Sequence, residues 1–163
     1  MKKILCLCLC LLLCTGCSIK KDVKTEPLTL SGFATVITTD MNGITLTANA
    51  VYDVASGYKF TFSSPQTLKN TTVCGKEGIF TLSGESLNLT LMGDKMPPSM
   101  ICRALSDCIN AVSGALPVEN NEYLEYGYSV GGVQCVLYTD EEKNFKKLLV
   151  GNQEFIFNSF SYT

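Results

Sequence analysis

The sequence predicts a mainly β (α+β) protein, in which a curved antiparallel sheet forms an incomplete barrel and one helix packs on its open face. From residue 28 onward, apolar and polar residues alternate with a period of two, and turn residues recur about every eight to twelve positions. One segment, at about residues 98–113, has a helical period instead. Residues 28–163 are therefore predicted to form a single domain.

The first two strands form the clearest hairpin. Residues 28–39 are rich in threonine, valine, isoleucine and phenylalanine, and residues 45–53 alternate polar and apolar side chains. Between them stands Asn42-Gly43, a pair that readily adopts the positive φ values of a tight hairpin turn. The two segments are therefore expected to pair in antiparallel fashion.

Glycine and proline delimit the remaining strands, which bring the total to about ten. Gly131-Gly132 and Gly151-Asn152 are predicted hairpin turns. The strands predicted from alternation and turn positions cover residues 58–63, 67–74, 79–83, 87–92, 122–130, 133–139, 145–150 and 154–162.

The helix is predicted from its boundary residues and from one apolar stripe. Pro97 and Pro98 precede it and Gly114 follows it, which is the typical order of residues at the two ends of a helix. The positions at helical spacing that form the stripe are Ile101, Leu105, Cys108 and Val112. A helix with such a stripe is expected to lie on an apolar surface.

The first sixteen residues predict export and anchoring to a membrane. Two lysines precede an apolar run at residues 4–13, which is typical of a signal peptide. Thr15-Gly16-Cys17 resembles the end of a bacterial lipobox, so residues 1–16 are interpreted as a lipoprotein signal peptide and Cys17 as the lipidated residue. Residues 17–27 then form the lipidated cysteine and a polar tether. The expected location is the extracytoplasmic face of the cell membrane, and an ordinary secretory signal is the alternative.

Composition argues against nucleic-acid binding. Removing residues 1–16 leaves 147 residues with a net charge of about −4. Nucleic-acid binding depends on clustered lysine and arginine, and the chain has a single arginine, Arg103. The predicted partners are the membrane, through the lipid anchor, and a lipid or acyl-chain ligand.

No catalytic constellation stands out in the sequence. The chain has no histidine, which removes the usual Ser-His-Asp and Cys-His systems. No phosphate-binding or dinucleotide-binding glycine motif stands in a suitable context. The sequence therefore predicts a protein that is not an enzyme, with no cofactor and no metal site.

Four cysteines follow Cys17, and their state is left open. In an exported protein Cys74, Cys102, Cys108 and Cys135 could form two disulfides, or they could be four free thiols. Cys102 and Cys108 lie six residues apart on the predicted helix and so face different directions. If disulfides form, Cys74 and Cys135 are the expected mates of the two helix cysteines.

The early strands resemble those of a known lipid-carrier fold. Phe33-Ala34-Thr35-Val36-Ile37, residues 43–54 and residues 58–65 are similar in pattern to the lipoprotein carriers LolA and LolB and to the lipidated LppX and LprG proteins. Residues 78–82 fit the next strand. In those families a curved sheet is covered by helices, and an apolar cavity for acyl chains lies between them. The resemblance implies the same function here.

Two functions are therefore predicted. The first is a membrane-anchored lipoprotein that binds lipid or another hydrophobic ligand between sheet and helix. The residues expected to line that cavity are Val36, Leu46, Ala48, Phe60 and Phe62 on the strands and Ile101, Leu105, Cys108 and Val112 on the helix. The alternative is a cell-surface interaction module with a closed core, which presents Tyr123, Tyr126 and Tyr128 to a partner protein.

Overall fold

The computed structural model describes residues 26–85, 88–120 and 122–163. The predicted signal peptide, the lipidation site Cys17 and most of the tether lie outside the described residues. In the part of the chain that is described, no helix is both long enough and apolar enough to cross a membrane.

Eleven strands and one helix make up the described fold. Six strands come first: β1 (Gly32–Met41), β2 (Ile44–Asp53), β3 (Gly57–Ser64), β4 (Thr72–Lys76), β5 (Ile79–Ser83) and β6 (Asn88–Met92). Helix α1 (Ile101–Val112) follows. The chain then forms β7 (Val118–Asn120), β8 (Tyr123–Val130), β9 (Val133–Thr139), β10 (Phe145–Val150) and β11 (Gln153–Tyr162).

All eleven strands belong to one antiparallel sheet, which is not closed into a barrel. Its order is β6-β5-β4-β3-β2-β1-β11-β10-β9-β8-β7. Two meanders therefore run outward from the central pair β1 and β11, and β6 and β7 are the two edges. Since α1 lies in the connection between these edge strands, the chain crosses from one edge of the sheet to the other through the helix.

The contacts of α1 fit a curved sheet. The helix contacts both β3 and β8, which are six strand spacings apart in the sheet. In a flat sheet that separation would be about 29 Å, at ~4.8 Å per spacing. The twelve residues of α1 span only about 18 Å. These contacts fit a sheet that curves into a trough in which α1 lies.

The buried face of α1 agrees with the predicted stripe. Ile101, Leu105, Cys108 and Val112 are all buried, whereas Asn110 is exposed. The helix begins at residue 101 rather than near 98 because Pro97 to Met100 form a turn, in which the Met100 N–H donates to the Pro97 carbonyl (3.0 Å).

The largest differences from the predicted strands concern the first strand, the strand predicted at 67–74 and one additional short strand. The first strand begins at Gly32, because Leu28 pairs instead with the chain after the helix: its N–H donates to the Ala115 carbonyl (3.1 Å), and its carbonyl accepts from the Gly114 N–H (2.8 Å). The predicted strand 67–74 begins only at Thr72, since a short 3-10 turn occupies Gln66–Leu68. Strand β7 has only three residues and has no counterpart among the predicted strands.

Aromatic side chains fill the centre of the trough. The ring of Phe33 lies 5.4 Å from that of Phe145 and 5.0 Å from that of Phe160, centroid to centroid. Phe145 and Phe160 are themselves stacked at 4.7 Å. These rings come from β1, β10 and β11, so this aromatic cluster fixes the two meanders to each other.

Candidate functional site

An apolar cavity lies between the first meander and the N-terminal end of α1. Its volume is about 200 Å³. It lies beside strands β2 to β6, on the inner face of the sheet. The lining residues on β2 to β6 are Leu46, Phe62, Val73, Phe80, Leu82 and Leu91.

The helix and the loop before it close the other side. Met96, Met100, Ile101 and Cys102 face the cavity there, and Met41, Leu68 and Thr71 complete the lining. Met100 is 37% exposed, whereas Met96 is buried. Met100 therefore connects the cavity with the surface.

Arg103 fixes this loop to the helix. Its Nη1 donates a hydrogen bond to the carbonyl of Met96, and its Nε donates to Asp107 Oδ2 at 3.0 Å. Asp107 lies one turn further along α1, so the Arg103–Asp107 pair orients the guanidinium. The only arginine in the sequence therefore holds a cavity-lining residue by its backbone.

The cavity is suited to apolar ligands and not to charged ones. Among the described residues that line it, none is charged, and only Thr71 and Cys102 carry a polar side-chain atom. Burial raises the pKa of the Cys102 thiol to about 12, so this side chain stays protonated at neutral pH. Any ion placed there would lose its hydration without gaining a partner.

Three of the residues predicted to line a cavity do so. Leu46, Phe62 and Ile101 all contribute to it. Five others are buried but lie in the filled part of the core, away from the cavity lining: Ala48, Phe60, Leu105, Cys108 and Val112. The predicted set thus divides between an open part of the trough and a closed one.

The predicted inward position of Val36 is wrong. In the β1–β2 pair, Val36 lies opposite Asn49, an exposed residue, while Ile37 lies opposite the buried Ala48. Directly opposed residues of an antiparallel pair share a face of the sheet. Val36 is therefore on the outer face, and Ile37, which is buried, occupies the inward position.

Most of the residues that line the cavity are not predicted from the sequence. The strand residues that were not predicted are Met41, Val73, Phe80, Leu82 and Leu91. The alternation of residues 79–83 and 87–92 carried this information, since Phe80 and Leu82 lie opposite Leu91 and Leu89 on one face. Met96 and Met100 belong to a loop, where no periodic signal exists.

The four cysteines are free thiols in the structure. Cys74 lies opposite Lys59 and Thr81, and it is exposed on the outer face. The other three are buried. Of the two states left open by the sequence, the structure has the free thiols, and Cys74 lies on the face of the sheet opposite to the helix cysteines.

The predicted tyrosine patch is also corrected. Tyr126 is buried on the inner face and Tyr128 lies beside the thiols of Cys108 and Cys135, where burial raises its pKa. Only Tyr123 points outward, with its ring 6.1 Å from that of Tyr138. Alternation in β8 puts Tyr123 and Tyr126 on opposite faces.

Comparison with known proteins shows a likeness of fold. No protein-family model matches the chain, and no curated protein matches its sequence. A conserved, uncharacterised protein from Thermus thermophilus is 9% identical, with 82% of this chain and 79% of that chain covered and a TM-score of 0.53. A LolA superfamily protein from Nitrosomonas europaea is 6% identical, with 89% and 91% covered and a TM-score of 0.46. At these identities the likeness to the Thermus protein concerns the fold alone.

Proposed function

We propose that the protein is a membrane-anchored lipoprotein that binds a hydrophobic ligand, and that it is not an enzyme. The ligand would occupy the cavity between strands β2 to β6 and the N-terminal end of α1. Lipid on Cys17 would hold the domain at the extracytoplasmic face of the membrane.

The observation that carries this proposal is the cavity itself. Binding sites for small molecules are typically concave and mostly apolar. Here about 200 Å³ is lined almost completely by aliphatic, aromatic and thioether side chains. Such a surface gains free energy by enclosing another apolar group, at about 25 cal/mol per Å² removed from water.

The state of the thiols favours binding over catalysis. Burial raises the pKa of both Cys102 and Cys108 to about 12. The thiolate is the nucleophilic form of cysteine, so neither residue is activated at neutral pH. The role of Cys102 in the cavity is thus that of a small apolar side chain.

The direct test is to fill the cavity. Val73 is 6% exposed and lines it, so Val73→Phe would place a ring where the ligand is expected. Native mass spectrometry of residues 26–163, which contain all the described strands and the helix, should reveal a hydrophobic adduct that is lost in this variant.

The matched control is Val51→Phe. Val51 lies on β2 opposite Lys59 and is 45% exposed on the outer face. This substitution adds the same atoms to the same sheet without touching the cavity, and the adduct should persist. The proposal would be contradicted if the wild type and both folded variants carried equal adducts. It would also be contradicted if the wild type carried no adduct and bound no apolar compound.

A partner-binding surface is the second candidate. Leu116 and Val118 are 63% and 68% exposed, and β7, which contains Val118, is an edge of the sheet. An exposed apolar edge strand can pair with another chain. Leu116→Ser with Val118→Ser would abolish such an association and leave ligand binding unchanged.

A further inference from the structure

We infer that the cavity takes one unbranched apolar chain of about seven carbons per protein molecule, and that it does not take a two-chain lipid. This inference rests on the proposed function and specifies its ligand. It follows from the volume of the cavity, from what closes its ends and from the absence of charge in its described lining.

The volume sets the size of the guest. A cavity of about 150 Å³ lined by apolar side chains holds one benzene molecule, and this one measures about 200 Å³. If a methylene group occupies about the ~30 Å³ that a water molecule takes up in the liquid, the cavity holds about seven of them. Two acyl chains of ordinary lipid length would need several times that volume.

Beside the cavity, the described core is packed. Midway along α1, the hydroxyl of Tyr58 lies 3.5 Å from the Ser106 carbonyl, so β3 and the helix are in contact there. The aromatic cluster of Phe33, Phe145 and Phe160 lies beneath the central strands. Cys108, further along α1, is completely buried. The cavity therefore ends at the middle of the helix.

The lining determines which end of the guest enters. Because no charged side chain is among its described residues, a charged or strongly hydrated head group would remain outside. The surface-exposed Met100 and the half-buried Met41 mark the open side. Methionine side chains are unbranched and adaptable, so these two can close around an emerging chain.

The experiment is a chain-length series of primary alkanols. Binding of butanol through dodecanol to residues 26–163 is measured by isothermal titration calorimetry. Each methylene should lower Kd about 4-fold, from ~0.8 kcal/mol per group, up to seven or eight carbons. Beyond that length Kd should be constant, since the added groups extend into solvent.

A two-chain probe tests the second half of the inference. Dihexanoyl phosphatidylcholine should bind no more tightly than its single-chain lyso counterpart. A Kd that continues to fall through dodecanol, or a two-chain lipid that binds at least tenfold more tightly, would overturn the inference and leave the proposed function standing.

Variants link the length limit to this cavity. Val73→Phe should weaken octanol binding at least tenfold, and Leu91→Phe provides a second filling variant should the first fail to fold. Val51→Phe on the outer face should bind as the wild type does. If the folded wild type binds no alkanol of any length, the proposed function fails and the inference fails with it.

Discussion

Gly75 is the residue whose missing side chain shapes the cavity most directly. A Cβ atom at this position would lie 2.4 Å from Cδ1 and Cε1 of the Phe80 ring, and Phe80 lines the cavity. The ring cannot keep its position if that atom is added, because real Cβ contacts are essentially never so short. The glycine thus determines where one wall of the cavity stands.

We therefore expect Gly75→Ala to lower the free energy of unfolding by about 1–3 kcal/mol, the usual cost of overpacking a core. The control is Gly127→Ala on β8, where an added Cβ would meet nothing within 4 Å. That variant should be neutral or slightly stabilising. Denaturant titration measures both, and equal stabilities of the two variants would show that the close contact is unimportant.

Asp140 organises the turn between β9 and β10. Partial burial alone would raise its pKa, but the Lys146 ammonium at 2.9 Å and the donors of Asn144 outweigh that effect and lower the pKa. The Asn144 backbone N–H donates to Oδ1 at 2.9 Å, and its side-chain amide donates to Oδ2 at 3.0 Å. The carboxylate is thus stabilised in its charged form.

The pH dependence follows from the direction of this shift. Between the lowered folded pKa of Asp140 and its unfolded value of about 3.9, the unfolded chain binds more protons than the folded one. The stabilisation of the folded state by the ionised Asp140 carboxylate is complete above the unfolded pKa, and it is lost as the pH falls through the folded pKa. We expect Asp140→Asn to lower the free energy of unfolding by about 1–2 kcal/mol at pH 7. Below pH ~4 the difference from the wild type should become progressively smaller. A pH-independent difference in unfolding free energy between variant and wild type would be evidence against this role.

At the scale of elements, the loop before α1 depends on one side chain. Arg103 is largely buried and binds both the Met96 carbonyl and Asp107. Since Met96 and Met100 line the cavity, the stability of this loop and the shape of the cavity are coupled.

Arg103→Met should preserve the apolar stem of the side chain but remove both hydrogen bonds. We expect a loss of about 1–3 kcal/mol in unfolding free energy and faster hydrogen exchange at residues 93–100. Lys95→Met is the control, because Lys95 forms an exposed ion pair with Asp94 in the same loop, and such pairs contribute little to stability. The role assigned to Arg103 is wrong if hydrogen exchange in the loop is the same in the two variants.

At the scale of the whole molecule, the point where the described chain enters the domain and the cavity lie at opposite ends of the helix. The chain enters the domain at Leu28, beside Gly114 and Ala115 at the C-terminal end of α1. The cavity lies at Ile101 and Cys102, at the N-terminal end. The predicted tether, residues 18–27, can extend at most about 33–36 Å. With a lipid anchor on Cys17, both ends of α1 would therefore remain near the membrane.

The anchor itself can be tested by labelling. Cys17→Ser should abolish incorporation of radioactive palmitate, and the protein should lack the mass of the lipid. The reason is that the expected thioether bond to the lipid needs the sulfur atom of Cys17. Cys10→Ala, within the apolar run of the predicted signal peptide, should remain labelled. Labelling that persists in Cys17→Ser would refute the assignment.

The local pattern of the sequence was sufficient for most elements. Strands 79–83, 133–139 and 145–150 have the predicted bounds, because alternation and turn residues act within a few positions. The buried stripe of α1 is also confirmed, since the helical period fixes relative directions. The resemblance to the LolA-type carriers remains an interpretation of function.

The sequence by itself determined which segments are strands, where they turn and which face of the helix is apolar. Only the tertiary structure decided that Ile37 and not Val36 points inward, that β1 pairs with β11, and that one half of the trough is filled while the other stays open. The inward position of Ile37 depends on the register between strands, and the pairing of β1 with β11 joins residues more than a hundred positions apart. Which half of the trough is filled depends on how aromatic rings from distant strands pack together, and the local periodicity of the sequence does not specify this packing.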